Sequence, residues 1–467
     1  MLRLLDGGMT LCDGVTRRDW LHLGALGTLG LSLPNFLGAR RAQAEEQSGN
    51  RGSGRARACI LVNLTGGPPQ HETWDPKPAA PVEIRGVYQS IASSLPGLNI
   101  CELMPQVAQL AHKHSVLRAV STGDNAHSSS GYQMLTGQPH IPMNVESARP
   151  GAPNDWPSVA AAVKWLRRRQ AGMPASIVIP EHIWNDGNFP WPGQDGGFLG
   201  RTADPWLIHC DPASPTFKPP ELAFPEEIPP LRFDRRQRLL EQVNAHLREV
   251  ERTQSVARYQ SDAMQALDLL QSERSRKAFQ IAAEPAAVRE RYGSSRFAQS
   301  LLLARRLVEA GVTLVQINWT RIPGQPNQGG WDTHSDHNAT IKNVLMPIMD
   351  RAYSALIEDL DQRGMLDQTL VVWMGEFGRT PRFNPNGGRD HWGSVFSIAM
   401  AGGGVREGVV HGESDRDAAQ PVSGRVSAAD ITATIFHLLG YSPETEIHDT
   451  LGRPFPLSRG EVIGAIV

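Results

Sequence analysis

The C-terminal half of the chain repeats helix, glycine and strand, and few folds accept that rhythm. Phe297, Leu301, Ala304 and Val308 recur on one helical face, and Gly311 follows where a left-handed cap belongs. Residues 312–318 then read as a strand. The unit recurs: Leu345, Met349, Ala352, Leu356 and Leu360 stripe a helix, Gly364 ends it, and Leu370-Val371-Val372-Trp373 is the next strand. Pro347 falls in the first turn of that helix or kinks it. Residues 396–401 give a further strand, and residues 428–439 an apolar-striped helix closed by Gly440. In the N-terminal half, residues 59–64, 115–120 and 177–179 read as strands and residues 103–112 as a helix. Strands joined through helices run parallel and need both faces covered. The expected fold class is therefore α/β, a central, mostly parallel sheet with helices on both faces, over residues 58–467. A helical and loop insertion is expected at about 181–275. It is dense in Pro, Gly and Trp up to residue 232, then helical, with Leu239, Val243, Leu247 and Val250 on one face and a solvated charged remainder.

Composition fits a globular chain able to bury a large core: 467 residues, 40% hydrophobic and 20% charged. A net charge of -2 gives no reason to expect nucleic acid or an anionic membrane surface as partner. Beyond Cys12, the widely spaced Cys59, Cys101 and Cys210 form no metal knuckle and at most one disulfide. Thr16-Arg17-Arg18-Asp19-Trp20-Leu21, a glycine-interrupted apolar stretch and Ala42-Gln43-Ala44 have the layout of a twin-arginine export signal over residues 1–44. A disordered linker is expected at 45–57, and no later run is long enough to cross a bilayer. The expected location is periplasmic or extracellular; oligomeric state is left open.

Three polar segments lie between these elements. They are Trp331-Asp332-Thr333-His334, Gly375-Glu376-Phe377-Gly378-Arg379-Thr380-Pro381 and Gly387-Gly388-Arg389-Asp390-His391-Trp392. Carboxylates and imidazoles on loops at strand ends suit a divalent-cation site at the edge of a parallel sheet. Solvated surface loops are the simpler alternative, but three such loops within about sixty residues exceed ordinary loop composition. Asp332, His334, Glu376 and His391 are the candidate metal ligands. The mixture suits Zn, Mn or Fe, with Ca possible if carbonyls join.

These motifs, with Gly66-Gly67-Pro68, Asp75-Pro76-Lys77-Pro78, His127 with Leu135-Thr136-Gly137, and Gly193-Gln194-Asp195-Gly196-Gly197-Phe198-Leu199-Gly200, resemble the domain of unknown function 1501 family. More widely, the chain resembles the alkaline phosphatase and sulfatase superfamily. That resemblance implies a metal-dependent hydrolase of phosphate or sulfate esters, and with the export signal the expected function is an exported hydrolase acting on an anionic small molecule or glycan. Residues 369–378 resemble the superfamily strand that ends in an Asp-His metal pair, with Glu376 in the carboxylate place and Phe377 where histidine would stand. Asp332 and His334 resemble its first metal pair, with His337 a rival to His334, and His391 resembles its last histidine. The first strand lacks the superfamily's terminal aspartate, so His71, Glu72 or Asp75 would substitute; His71 is carried as a metal candidate. Residues 126–137 resemble the nucleophile helix, with His127 at the sulfatase cysteine's place and Ser128 beside it. No cysteine stands there, which excludes formylglycine chemistry. Ser128 is then a nucleophile or a helix cap, Arg379 an anion-binding fork or an ion-pair partner, and His71 and His127 site-lining or structural. The alternative function is a non-catalytic exported binding or surface-assembly protein with a partly lost metal site, favoured by Phe377 and the missing strand-end aspartate.

Overall fold

The computed structural model describes residues 53–168, 173–184, 189–217 and 273–467. The short apolar runs become one nine-stranded sheet. Its strands are β1 Ala58–Asn63, β2 His114–Ser121, β3 Ser176–Ile179, β4 Trp206–Leu207, β5 Leu314–Asn318, β6 Thr369–Met374, β7 Phe396–Ala401, β8 Val409–His411 and β9 Val426–Ser427. In space they run β8-β2-β7-β6-β1-β5-β3-β4, and β9 also pairs with β2. Every pairing is parallel except the two made by β7.

Alternation along β1 divides the core. Ile60 and Val62 face one layer, Cys59 and Leu61 the other. The principal helices are α1 His127–Thr136, α2 Val159–Leu166, α3 Arg296–Glu309, α4 Met346–Gln362 and α5 Ala428–Leu438. Leu301 and Leu302 of α3 and Met349 and Leu356 of α4 build the first layer. Met134 of α1, Val163 of α2 and Ile431 and Ile435 of α5 build the second. Both faces are covered, as the helix–glycine–strand rhythm requires. Ser295 and Ser158 cap α3 and α2, while Ser427 and Asp430 form a reciprocal capping box on α5. Pro347 sits in the first turn of α4, where its missing N–H costs little. The turn before it, Ile341–Leu345, is π-helical.

This topology gathers the polar loops. The carboxyl ends of β1, β5 and β6 lie in register at Asn63, Asn318 and Met374, and β2 leads from the same edge to α1. Because β7 is antiparallel, the residues before it arrive there too. They form a two-stranded ribbon in which His391-Trp392 pairs with Gly378-Arg379.

Some expectations change. The expected insertion contributes to the sheet, since Trp206-Leu207 pairs with Ile177-Val178. The end of the expected linker is fixed: the Gly54 and Ala56 amides donate to the His437 and Leu438 carbonyls. The expected helix at 103–112 is a short α-helix, Pro105–Gln109, and a separate 3-10 turn, Ala111–Lys113. Cys59, Cys101 and Cys210 are free and buried, so they make no disulfide. The export signal and the Leu239–Val250 stripe lie outside the described residues. Among the described residues, no helix is long and apolar enough to cross a membrane.

Trp373 tests this core. It is fully buried in β6, meets Trp74 edge-on at 5.9 Å between ring centroids and donates to the Met349 sulfur. Trp373→Ala should cost about 3–5 kcal/mol in denaturant unfolding. A loss below about 1 kcal/mol would mean that β6 does not pack as described.

Candidate metal centre

Three imidazoles converge on one carboxylate oxygen. The Nε2 atoms of His127, His334 and His391 lie 3.3, 3.0 and 3.1 Å from Asp332 Oδ1. His334 Nε2 and His391 Nε2 are 2.9 Å apart. Ligand atoms of His127, Asp332 and His391 all lie within 4.8 Å of one another. The far nitrogen of each ring is held by an acceptor. His391 Nδ1 donates to the Asn125 carbonyl at 2.7 Å, His334 Nδ1 to Asp390 Oδ1 at 2.7 Å and His127 Nδ1 to Glu376 Oε1 at 2.7 Å. Carbonyl and carboxylate oxygens only accept, so each Nδ1 carries the hydrogen, and in the neutral ring each Nε2 presents its lone pair. Orienting partners of this kind accompany metal-ligating histidines.

Four electron-rich atoms this close need positive charge among them. Protons can supply part of it. Burial disfavours charging His127, but hydrogen bonds to Asp332 and Glu376 outweigh burial and lift its pKa to about 9. The hydrogen bond to Asp332 also raises His334, whereas burial lowers His391. Burial would raise Asp332, yet Arg379 and the three imidazoles hold it far below the carboxylate range. A metal ion fits the same place. Bonds of about 2.0–2.1 Å put neighbouring tetrahedral ligands about 3.3 Å apart, close to the 3.0–3.3 Å between each Nε2 and Asp332 Oδ1 and the 2.9 Å between His334 and His391. The buried carboxylate Glu376 points the same way, because its Oε2 has no hydrogen-bond partner among the described residues.

Backbone geometry makes this convergence possible. Gly66 (φ 115°) lies so close to the Asp332 loop that an added Cβ would be 2.5 Å from Asp332 N. Gly67 (φ 77°) would put one 2.6 Å from the Phe377 ring. The Gly66 amide in turn donates to Glu376 Oε1 at 2.8 Å. Phe377 is fully buried and forms a wall for two of these imidazoles, with centroids 4.8 Å from His127 and 4.6 Å from His391. Where the superfamily comparison expects a histidine, this chain has an apolar support for its neighbours.

Of the expected ligands, Asp332, His334 and His391 meet directly, and Glu376 adjoins them through His127. His127, expected as a catalytic or structural residue, belongs with the ligand atoms. The other expectations need correction. Ser128 is fully buried and its hydroxyl lies 2.8 and 2.7 Å from the Val145 and Glu146 carbonyls, so in this structure it fastens a loop. It is not the cap, since the N-cap of α1 is Ala126. Arg379 is no open anion fork. Its fully buried guanidinium donates to Gly67 O, Arg389 O, Gly66 O and, at 2.6 Å, Asp332 Oδ1. His71 is buried, bonds the Asp417 carbonyl through Nε2 at 2.9 Å and is held neutral by burial, with a pKa near 4. It does not join the set. Nor does His337, whose Nδ1 meets Thr333 Oγ1 and whose Nε2 lies 3.3 Å from Glu72. Glu72 forms a fully buried pair with Arg389 at 2.7 Å. Burial would raise its pKa, but Arg389 and His337 bring it down to about 2. Asp75 pairs with Lys77 and Arg118. None of the proposed substitutes for the missing aspartate reaches the centre. The orienting roles of Asn125 and Asp390 were missed; the one signal was the position of Asp390 beside His391.

Among solved structures the chain is similar to the lipoteichoic acid synthase LtaP from Listeria monocytogenes, at 10% identity over 90% of this chain and 78% of that one, with a TM-score of 0.38. It is also similar to the PsFucS1 sulfatase from Pseudoalteromonas sp., at 14% identity over 86% and 70%, TM-score 0.39. A third is the C-terminal periplasmic domain of EcEptC from Escherichia coli in complex with Zn, at 11% identity over 90% and 93%, TM-score 0.36. These are distant likenesses, and no residue role is transferred from them. No curated protein matches the sequence. The family model described as a protein of unknown function, DUF1501, matches residues 56–467, and the chain belongs to that family.

Proposed function

We propose that this protein is an exported, metal-dependent hydrolase of phosphate or sulfate esters, its substrate an anionic small molecule or glycan. The convergence of His127, His334 and His391 Nε2 on Asp332 Oδ1 carries the reading. These four residues would hold the metal, with Glu376 beside them. A bound divalent cation would polarise the ester oxygen and lower the pKa of a coordinated water. The chain's own part is positional. Glu376, Asp390 and the Asn125 carbonyl keep each Nε2 aimed inward, Phe377 and Trp191 flank the His127 ring, and Arg379 steadies Asp332. The hydroxyls after His127 are all engaged: Ser128 with Val145 and Glu146, Ser129 with Asp124 and Ser130 with the Glu376 carbonyl. Attack therefore falls to water. The second reading, a non-catalytic exported binding protein, draws on Phe377, which closes with an apolar ring the position expected for a ligand.

Purified protein should contain a divalent metal and hydrolyse p-nitrophenyl phosphate or p-nitrophenyl sulfate. Glu376→Ala, which frees the His127 ring, should lower metal affinity roughly 10–100-fold, and His391→Ala at least as much, with turnover falling in step. Ser128→Ala should keep both metal and turnover. Metal without turnover supports the binding protein; His391→Ala with full metal content rejects the metal-dependent hydrolase.

Export is tested separately. Replacing Arg17 and Arg18 by lysine removes the paired-arginine signal and should leave the protein in the cytoplasm. Normal export of that double variant contradicts the twin-arginine route.

A further inference from the structure

We infer that the centre takes one late first-row transition ion of the zinc class per chain, and that the Arg379 guanidinium stands in place of a second cation. This rests on the metal-dependent reading above and adds the number and class of the ion.

Number follows from charge and donor supply. Asp332, Glu376 and Asp390 are the carboxylates bonded to the three imidazoles, and Arg379 is the cation paired with Asp332. Three carboxylates against one guanidinium leave two negative charges, which one divalent ion balances. Glu72 and Arg389 neutralise each other outside this set. Glu146 accepts from the His127 amide at the start of α1, where the helix dipole favours its charge. A second divalent ion would bring two uncompensated positive charges beside a guanidinium that is fully buried and cannot withdraw, since three carbonyls also hold it. Donors are also short. Among the described residues, His127, Asp332 and His391 form the one group of three or more His, Cys, Asp or Glu ligand atoms that lie this close. Glu376 Oε1 already accepts from the Gly66 amide and His127, and its Oε2, without a partner among the described residues, adds one oxygen, short of a second donor set.

Class follows from the donor atoms. The mutually close donors are two imidazole nitrogens, of His127 and His391, and a carboxylate oxygen of Asp332, all within 4.8 Å of one another, and the His334 nitrogen lies 3.0 Å from Asp332 Oδ1 and 2.9 Å from His391 Nε2. Imidazole suits zinc and its neighbours. Calcium takes six to eight oxygen donors and magnesium an octahedron of oxygens, which this set does not offer.

Equilibrium dialysis of the full chain against zinc, calcium or magnesium chloride alone, with bound metal counted by mass spectrometry, decides the matter without any activity assay. The expected result is one tightly bound zinc ion per chain, with affinity roughly two orders of magnitude or more above that for calcium or magnesium. Two tightly bound zinc ions, or calcium or magnesium held as tightly as zinc, overturn this inference and leave the metal-dependent reading standing. No tight binding of any of the three overturns both.

Discussion

The Arg379 guanidinium holds the centre together. Its donors reach the carbonyls of Gly66, Gly67 and Arg389 and the carboxylate of Asp332. One side chain thereby joins the loop after β1, the loop before α4 and the ribbon before β7. Leaving buried carbonyls without donors costs about 1–3 kcal/mol each, so the loops cannot drift apart cheaply. Behind it, the fully buried Glu72–Arg389 pair ties the same ribbon to the loop after β1. Removing one member of such a pair would strand a buried charge. The ligand loops are thus fastened by charge and hydrogen bonds, while the sheet below is fastened by apolar burial.

The fold was legible because its determinants are local and periodic. Stripes at helical spacing, glycines at helix ends and short β-branched runs each say what a segment does without reference to distant ones. What escaped depends on pairing across the chain. Trp206-Leu207 is too short to announce itself, and it becomes a strand because β3 offers it an edge. The antiparallel direction of β7 is likewise written in its partners β2 and β6, not in Phe396–Ala401 itself. Yet that reversal carries His391 to the ligand edge.

The site was legible by residue type and less so by role. Asp332, His334 and His391 were identifiable because metal chemistry needs carboxylates and imidazoles on adjacent loops. Ser128 and Arg379 show the limit. A serine opening a helix and an arginine in a glycine-rich loop have chemical uses that depend on which atoms are already engaged, and burial engages theirs in structural bonds. His127 moved the other way, because only the approach of Glu376 to its Nδ1 fixes the tautomer that aims Nε2 at Asp332. Phe377 reads as a lost ligand in sequence and as a wall for two imidazoles of the candidate site in three dimensions.

The proposed cation would sit among three Nε2 atoms and one carboxylate oxygen. Crystals of the protein grown with zinc, measured on both sides of the zinc absorption edge, test this placement most directly. An anomalous peak is expected beside His127, His334 and His391 Nε2 and Asp332 Oδ1, with each Nδ1 still on its acceptor. A zinc-saturated crystal with no peak there, and with those imidazoles turned to other partners, would contradict it.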